Sequence, residues 1–128
     1  MSYYFNKTLH ISFDDAITKV TEELKKEGFG ILTEINVKEA MKKKLNKDFR
    51  EYRILGACNP PFAYKALQAE DKIGTMLPCN VIVQETSDEQ VEVAAIDPVA
   101  SMQAVENEAL SEIATEIQGK LKKVIGNL

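Results

Sequence analysis

The two cysteines of the chain stand in the same dipeptide, Cys-Asn, once in GACNPP (56–61) and once in LPCN (77–80). A thiol at the N-terminus of a helix has its thiolate form favoured, and two such thiols could form a reversible disulfide. Free cysteine is also among the most buried residue types, and asparagine before proline is typical of a helix start. The pattern leaves a reactive thiol pair and a structural cluster open, and it favours the structural cluster.

Other chemistry has less support in the residue types. A tetrahedral metal site needs about four ligands at short spacings, and the sequence has no CxxC motif, so neither a metal site nor a cofactor is predicted. Catalysis by a Cys-His pair would require the single histidine, His10, beside Cys58, and the sequence does not indicate that contact. These observations together argue against an enzyme.

Composition bounds the remaining classes. With 128 residues, 45% of them hydrophobic and 28% charged, the chain is expected to form one domain, 1–128, with a buried core. A net charge of −4 argues against nucleic-acid binding. There is neither an apolar run of about 20 residues nor an apolar signal segment at the start. We therefore expect a cytoplasmic protein without membrane contact, whose thiols stay reduced.

Hydrophobic periodicity and capping residues predict the elements. Strands are expected at 2–10, 30–36, 51–58, 78–86 and 90–97, the last two joined by a turn at Ser87-Asp88. Helices are expected after Ser12, Asn36, Asn59, Asp97 and Asn107. The order β-α-β-β-β-β-α, with small inserted helices, predicts an α+β sandwich: a largely antiparallel sheet with the two long helices on one face.

Side-chain patterning predicts how the strands align. Pairing Val83 with Val93 and Val81 with Ala95 keeps the valines on one face and places Cys79 opposite Asp97. If the third and fourth strands are antiparallel neighbours, Cys58 and Cys79 meet at one end of the sheet. The candidate site is therefore a cluster of five residues: Cys58, Asn59, Cys79, Asn80 and Asp97. Within it, Asn59 is expected to accept the Phe62 N–H as a helix cap.

The opposite face of the sheet is also expected to be apolar. If the four valines Val81, Val83, Val91 and Val93 face the helices, the residues predicted to face away are Leu55, Ala57, Ile82, Ala94, Ile96, Ile31 and Ile35. Such a patch needs a cover. The inserted helices, with Met41, Leu45, Phe62 and Leu67, can cover part of it. A second copy of the chain is the simplest cover for the rest, so a homodimer is predicted.

The middle of the chain also resembles a known family. The segment ILGACNPPFAYKALQAEDKIGTMLPCNVIVQE (54–85), followed by VAAIDP (93–98), is similar to the signature of the bacterial and archaeal domain of unknown function 302. The resemblance covers essentially the whole chain. It implies a β-α-β4-α fold like that of the TATA-box-binding protein, which matches the order predicted above. It implies no activity and no catalytic residues.

Two functions follow as hypotheses. The first, which we favour, is a non-enzymatic module that binds a small molecule or a protein in the groove between the sheet and the final helix, or at the Cys/Asn end of the sheet. The second is a thiol-dependent activity, redox or nucleophilic, at Cys58 and Cys79.

Overall fold

Strands and helices follow one another in the predicted order in the computed structural model, which describes residues 2–87 and 89–128. The α+β prediction is confirmed, and each predicted strand end lies within two residues of the observed one. In chain order the elements are β1 (Tyr4–Leu9), α1 (Phe13–Lys26), β2 (Gly30–Asn36), α2 (Val37–Leu45), β3 (Tyr52–Cys58), α3 (Pro60–Ala69), a 3₁₀ helix (Asp71–Met76), β4 (Cys79–Ser87), β5 (Gln90–Ile96), α4 (Pro98–Ser101) and α5 (Glu108–Gly126).

The five strands of the described chain form one sheet in the order β1-β5-β4-β3-β2, and every neighbouring pair is antiparallel. The predicted alignment of β4 with β5 is confirmed, since Val81 pairs with Ala95 and Val83 with Val93. The predicted pairing of β3 with β4 is confirmed as well. Of the predicted turn at Ser87-Asp88, Asp88 lies outside the described residues.

The two long helices, α1 and α5, pack on one face of the sheet and enclose the main core. Helix α1 contributes one apolar stripe and α5 another, at the spacings that the sequence predicts. Fully burying a Val or Leu side chain contributes about 1.5–3 kcal/mol, so these stripes fix both helices against the strands. No helix in residues 2–87 and 89–128 has the length and apolar character that a membrane span requires. The buried residues of the two stripes are Phe13, Ala16, Val20 and Leu24 on α1, and Leu110, Ala114, Ile117, Leu121, Val124 and Ile125 on α5.

The ends of α1 are fixed by local sequence. Ser12 Oγ accepts the Asp15 N–H at 3.1 Å, which confirms the predicted cap. At the other end Gly28 has a φ of +87°, and Phe29 N–H donates to the Leu24 carbonyl at 2.9 Å. This is the Schellman arrangement, in which glycine takes the left-handed conformation that side chains disfavour. The chain therefore reverses sharply from α1 into β2.

Two more predicted helix caps are confirmed. Asn36 Oδ1 accepts the Glu39 N–H at 3.0 Å at the start of α2. Asn107 Oδ1 accepts the N–H groups of Ala109 and Leu110, at 3.1 and 3.3 Å, at the start of α5. Short polar side chains that bond their own backbone can be predicted from sequence because the interaction is local.

The predicted outward orientation of Leu55, Ala57 and Ile31 is wrong. Leu55 pairs with Val81, which faces the helices, and Ile31 pairs with Ala57. Leu55, Ala57 and Ile31 therefore lie on the same face of the sheet as Val81. Leu55 and Ala57 are buried in the main core, and Ile31 packs against it. The β-bulge between Ile31 and Thr33 explains why the prediction fails for Ile31 in β2, because the bulge changes which residues of that strand face outward.

The outer face of the sheet is consequently less apolar than predicted. Its apolar part forms a row across the strands, in which each residue pairs with the next on the neighbouring strand: Ile35, Ile54, Ile82 and Ala94. Ile96 lies beside Ala94 on the same strand. Beside it runs a polar network, in which Glu92 accepts hydrogen bonds from Asn6 at 2.8 Å and from Gln84 at 2.7 Å. This face therefore leaves less apolar surface for a partner to cover than the sequence suggests.

Helix α3 does not cover that outer face, contrary to the prediction. Phe62 packs against the main core, and both Phe62 and Leu67 line a cavity together with residues of α5. On α2, Met41 is half-buried, whereas Leu45 is 63% exposed. The inserted helix α3 thus adds a wall on the helix side of the sheet.

Candidate functional site

Both cysteines lie at one end of the sheet, which we call the cysteine end: the end of β3, the start of β4 and the start of β2. Cys79 lies directly beside Ala57 in the β3–β4 pair, and Gly30 pairs with Cys58. Both are free cysteines and half-buried. The prediction that the two Cys-Asn pairs meet in space is confirmed for the cysteines.

Asn80 lies away from this cluster. It pairs with Gly56 and is exposed on the outer face, whereas Cys79 shares the helix-facing side with Ala57. Gly56 itself has no room for a side chain, because a Cβ there would overlap Thr33 Oγ1 and lie 2.8 Å from Pro78 Cγ. The sheet separates Asn80 from the thiol of Cys79, so the predicted cluster does not include Asn80.

Asp97 is buried and its carboxylate is committed to holding helices together. Oδ1 accepts the N–H groups of Val99 and Ala100 at 3.0 and 3.5 Å, which confirms the predicted cap of α4. Gln118 of α5 donates to both carboxylate oxygens, at 3.0 and 3.2 Å. The β4–β5 pairing is observed as far as Val81 and Ala95, so Cys79 and Asp97 lie beyond the last pair. Asp97 therefore has a structural role at the edge of the site.

Asn59 caps a helix, but not the predicted one. Its Nδ2 donates to the Glu27 carbonyl at 3.2 Å, and its side chain makes no hydrogen bond to the first turn of α3. The predicted acceptance of the Phe62 N–H is wrong. The Glu27 carbonyl belongs to the end of α1, where backbone acceptors have no partner within the helix. Gly28 permits the approach, because a Cβ there would lie 3.1 Å from Nδ2.

The thiols are held in their protonated form. Burial and, as the smaller cause, charge repulsion from Cys58 together raise the pKa of Cys79 from 9.0 to about 11. Burial also raises the pKa of Cys58. Helix α3 begins at this end, but Pro60 and Pro61 have no N–H to donate to a thiolate. Desolvation therefore outweighs the stabilisation that a helix start was expected to give.

A cavity of about 310 Å³ opens at the cysteine end, between the sheet, α3, the 3₁₀ helix and α5. Its wall is almost entirely apolar. Of the described residues that line it, Asn59 alone has a side chain with nitrogen or oxygen atoms, and the two cysteines contribute sulfur. The others are Phe29, Leu32, Ala57, Phe62, Ala63, Ala66, Leu67, Gly74, Leu77, Pro78, Pro98, Met102, Leu110, Ile113, Ala114 and Ile117.

Sequence reasoning identified the thiols and a groove between the sheet and the final helix, but not the volume of the cavity or the apolar residues that line it. The available signal was the small residues in the helical stripes. Ala63 and Ala66 lie on the wall from α3, and Ala114 lies on it from α5. Alanine at interior positions leaves volume unfilled only if the neighbouring helix does not close in. That distance is set by packing, so the alanines alone could not have predicted the cavity.

Among the described residues, no group of three or more His, Cys, Asp or Glu side chains is placed to hold a metal ion. His10 lies elsewhere, on a polar surface hollow with Glu85 and Glu89. The chemistry available at the cysteine end is therefore that of an apolar hollow with one amide and two protonated thiols.

Comparison with known proteins connects this geometry to a family. The profile of the domain of unknown function DUF302 matches residues 5–128. The chain belongs to the DUF302 family. The crystal structure of an uncharacterized conserved DUF302 protein from Bacillus stearothermophilus has a similar fold, with a TM-score of 0.89 and 27% sequence identity over 98% of each chain. None of the curated proteins compared with this chain matches it.

In this DUF302 chain part of the segment that carries the resemblance lies at the cavity. The wall includes Cys58, Asn59, Ala63, Leu67, Gly74, Leu77, Pro78, Cys79 and Pro98 from 54–85 and 93–98, whereas Asn80 of the same segment lies on the other face of the sheet. The likeness to the fold of the TATA-box-binding protein remains a prediction.

Proposed function

We propose that this DUF302 domain binds a small apolar molecule in the cavity at the cysteine end. The cavity itself carries the proposal: about 310 Å³ lies within the ~300–1,000 Å³ range of small-molecule sites. Filling an apolar hollow with an apolar molecule removes water from both surfaces, which is favourable by about 25 cal/mol for each Å² buried. Side chains from both the sheet and α5 form the wall, so the folded chain supplies the site without help from another subunit.

The shape of the site favours a small molecule over a protein partner. A protein-binding face is broad, whereas this hollow is bounded by α3 on one side and by Ile113, Ala114 and Ile117 of α5 on the other. The raised pKa values of both thiols argue against the alternative of a thiol nucleophile, because the thiolate is the reactive form. A cytoplasmic location belongs to the proposal, since a reducing compartment keeps both cysteines free.

An NMR titration with naphthalene tests the proposal. Naphthalene is rigid and wholly apolar, so its binding reports the apolar hollow alone. We expect chemical-shift changes at Ala63 on α3 and Ala114 on α5, both of which line the cavity. Changes confined to the outer sheet face would contradict the proposal.

A matched pair of variants gives the control. Ala63→Leu places extra carbon atoms in the cavity while keeping a strong helix former, so naphthalene affinity should fall by about tenfold or more. Ala109→Leu adds the same atoms at an exposed position of α5 outside the cavity and should leave affinity unchanged. Unchanged binding by both variants would show that naphthalene sits elsewhere.

A further inference from the structure

The amide of Asn59 can be oriented unambiguously. The Glu27 carbonyl can only accept a hydrogen bond, so the atom 3.2 Å from it must be the amide nitrogen of Asn59. Reversing the amide would bring two oxygens together. The contact with Glu27 therefore fixes where the side-chain oxygen of Asn59 points, away from the end of α1.

The side-chain oxygen of Asn59 is free to accept a hydrogen bond from a ligand. Asn59 is only 7% exposed, and its Oδ1 accepts no hydrogen bond from the described residues. No polar side-chain atom of residues 2–87 and 89–128 is both fully enclosed and unpaired, so water can still reach Oδ1. Since Asn59 lines the cavity and is 7% exposed, a molecule bound in the cavity can reach this oxygen.

We infer that the ligand of this cavity is an apolar alcohol, whose hydroxyl donates to Asn59 Oδ1 while its hydrocarbon body fills the apolar hollow. The inference rests on the proposed function. A buried acceptor left unpaired by the ligand costs free energy, whereas a hydroxyl satisfies it. An anionic head is disfavoured, because it would face the partial negative charge of Oδ1 among apolar groups, and the described residues of the wall include no cationic side chain.

The volume of the cavity limits the size of the hydrocarbon part of the ligand. A cavity of about 150 Å³ holds benzene, so about 310 Å³ accommodates roughly a dozen non-hydrogen atoms. A medium-chain alcohol such as 1-decanol meets this limit. The cavity is open to solvent, so a longer chain would extend beyond the mouth rather than be excluded.

The test compares three probes on the unmodified chain: 1-decanol, its isomer methyl nonyl ether, and decanoate. The ether has the same atoms but no donor, so decanol should bind about tenfold more tightly. Decanoate should bind at least about tenfold more weakly than decanol. Dissociation constants come from NMR shift changes at Ala63 and Ala114. Asn59→Leu should bring decanol and the ether to equal affinity; the probe comparison stands without this variant if it does not fold.

The outcomes separate the two proposals. If decanol and the ether bind equally, the role of Asn59 is wrong and the apolar site stands. If decanoate binds most tightly, the alcohol inference is overturned in favour of an acid. If none of the three binds and naphthalene does not bind, the proposed function is overturned together with the inference.

Discussion

Raising the pH should expose the burial of Cys79. Its pKa of about 11, against 9.0 for an ordinary thiol, lowers the thiolate fraction about a hundredfold at pH values below both. Between the two values the unfolded chain releases the Cys79 proton while the folded chain retains it. Folding stability therefore falls as the pH rises from about 9, and the loss reaches about 2–3 kcal/mol near pH 11. Below the unfolded-state pKa, the group has no effect on stability.

The assay is alkylation by iodoacetamide across a pH series, with each cysteine followed separately by mass spectrometry. Limited access slows alkylation by a constant factor, so the informative quantity is the pH at which the rate is half-maximal. We expect the native Cys79 rate to keep rising beyond pH 10, and the rate in urea to be half-maximal near pH 9. The Cys58→Ser variant removes the charge repulsion and should lower the Cys79 pKa only slightly, because burial is the larger cause. A native Cys79 rate that is half-maximal at or below about pH 9 would refute the reasoning.

Two further predictions concern stability and assembly. Asn59→Ala removes the 3.2 Å bond to the Glu27 carbonyl and should lower the free energy of unfolding by about 1–2 kcal/mol in urea denaturation, whereas Asn80→Ala on the exposed face should change it little; equal effects would contradict the capping of α1. The homodimer stays a prediction, which light scattering at micromolar concentration checks, and the mass of a single chain would reject it.

The elements could be predicted because their causes are local. The stripe of α1 and its Ser12 cap lie within a few residues of each other, and so do the glycine and backbone bonds that end the helix. The alignment of β4 with β5 followed from Val83 and Val93, because a slip of one residue would place polar Glu92 in the core. When two adjacent strands are also neighbours in sequence, few alternative registers are possible.

The failures came from contacts between distant segments. The sequence does not determine the face of Leu55, because its orientation depends on the register of β3 against β4, and the connection between those strands is long and helical. Asn59 followed by two prolines fits a helix cap locally, and nothing in that pattern indicates that the end of α1 lies beside it. The cavity also depends on the spacing between α3 and α5, which only packing determines.

The state of the thiols and the choice of ligand depend on the same surroundings. An apolar wall, a helix start without N–H groups at Pro60 and Pro61, and an amide oxygen at the cavity all disfavour negative charge. Such a site keeps Cys79 protonated and, for the same reason, rejects a carboxylate. The pH dependence of Cys79 alkylation and the relative affinity of decanol and decanoate therefore constrain each other. If decanoate bound more tightly than decanol with its carboxylate inside the cavity, the same surroundings would also favour a thiolate, and the pKa of Cys79 would have to lie below about 11.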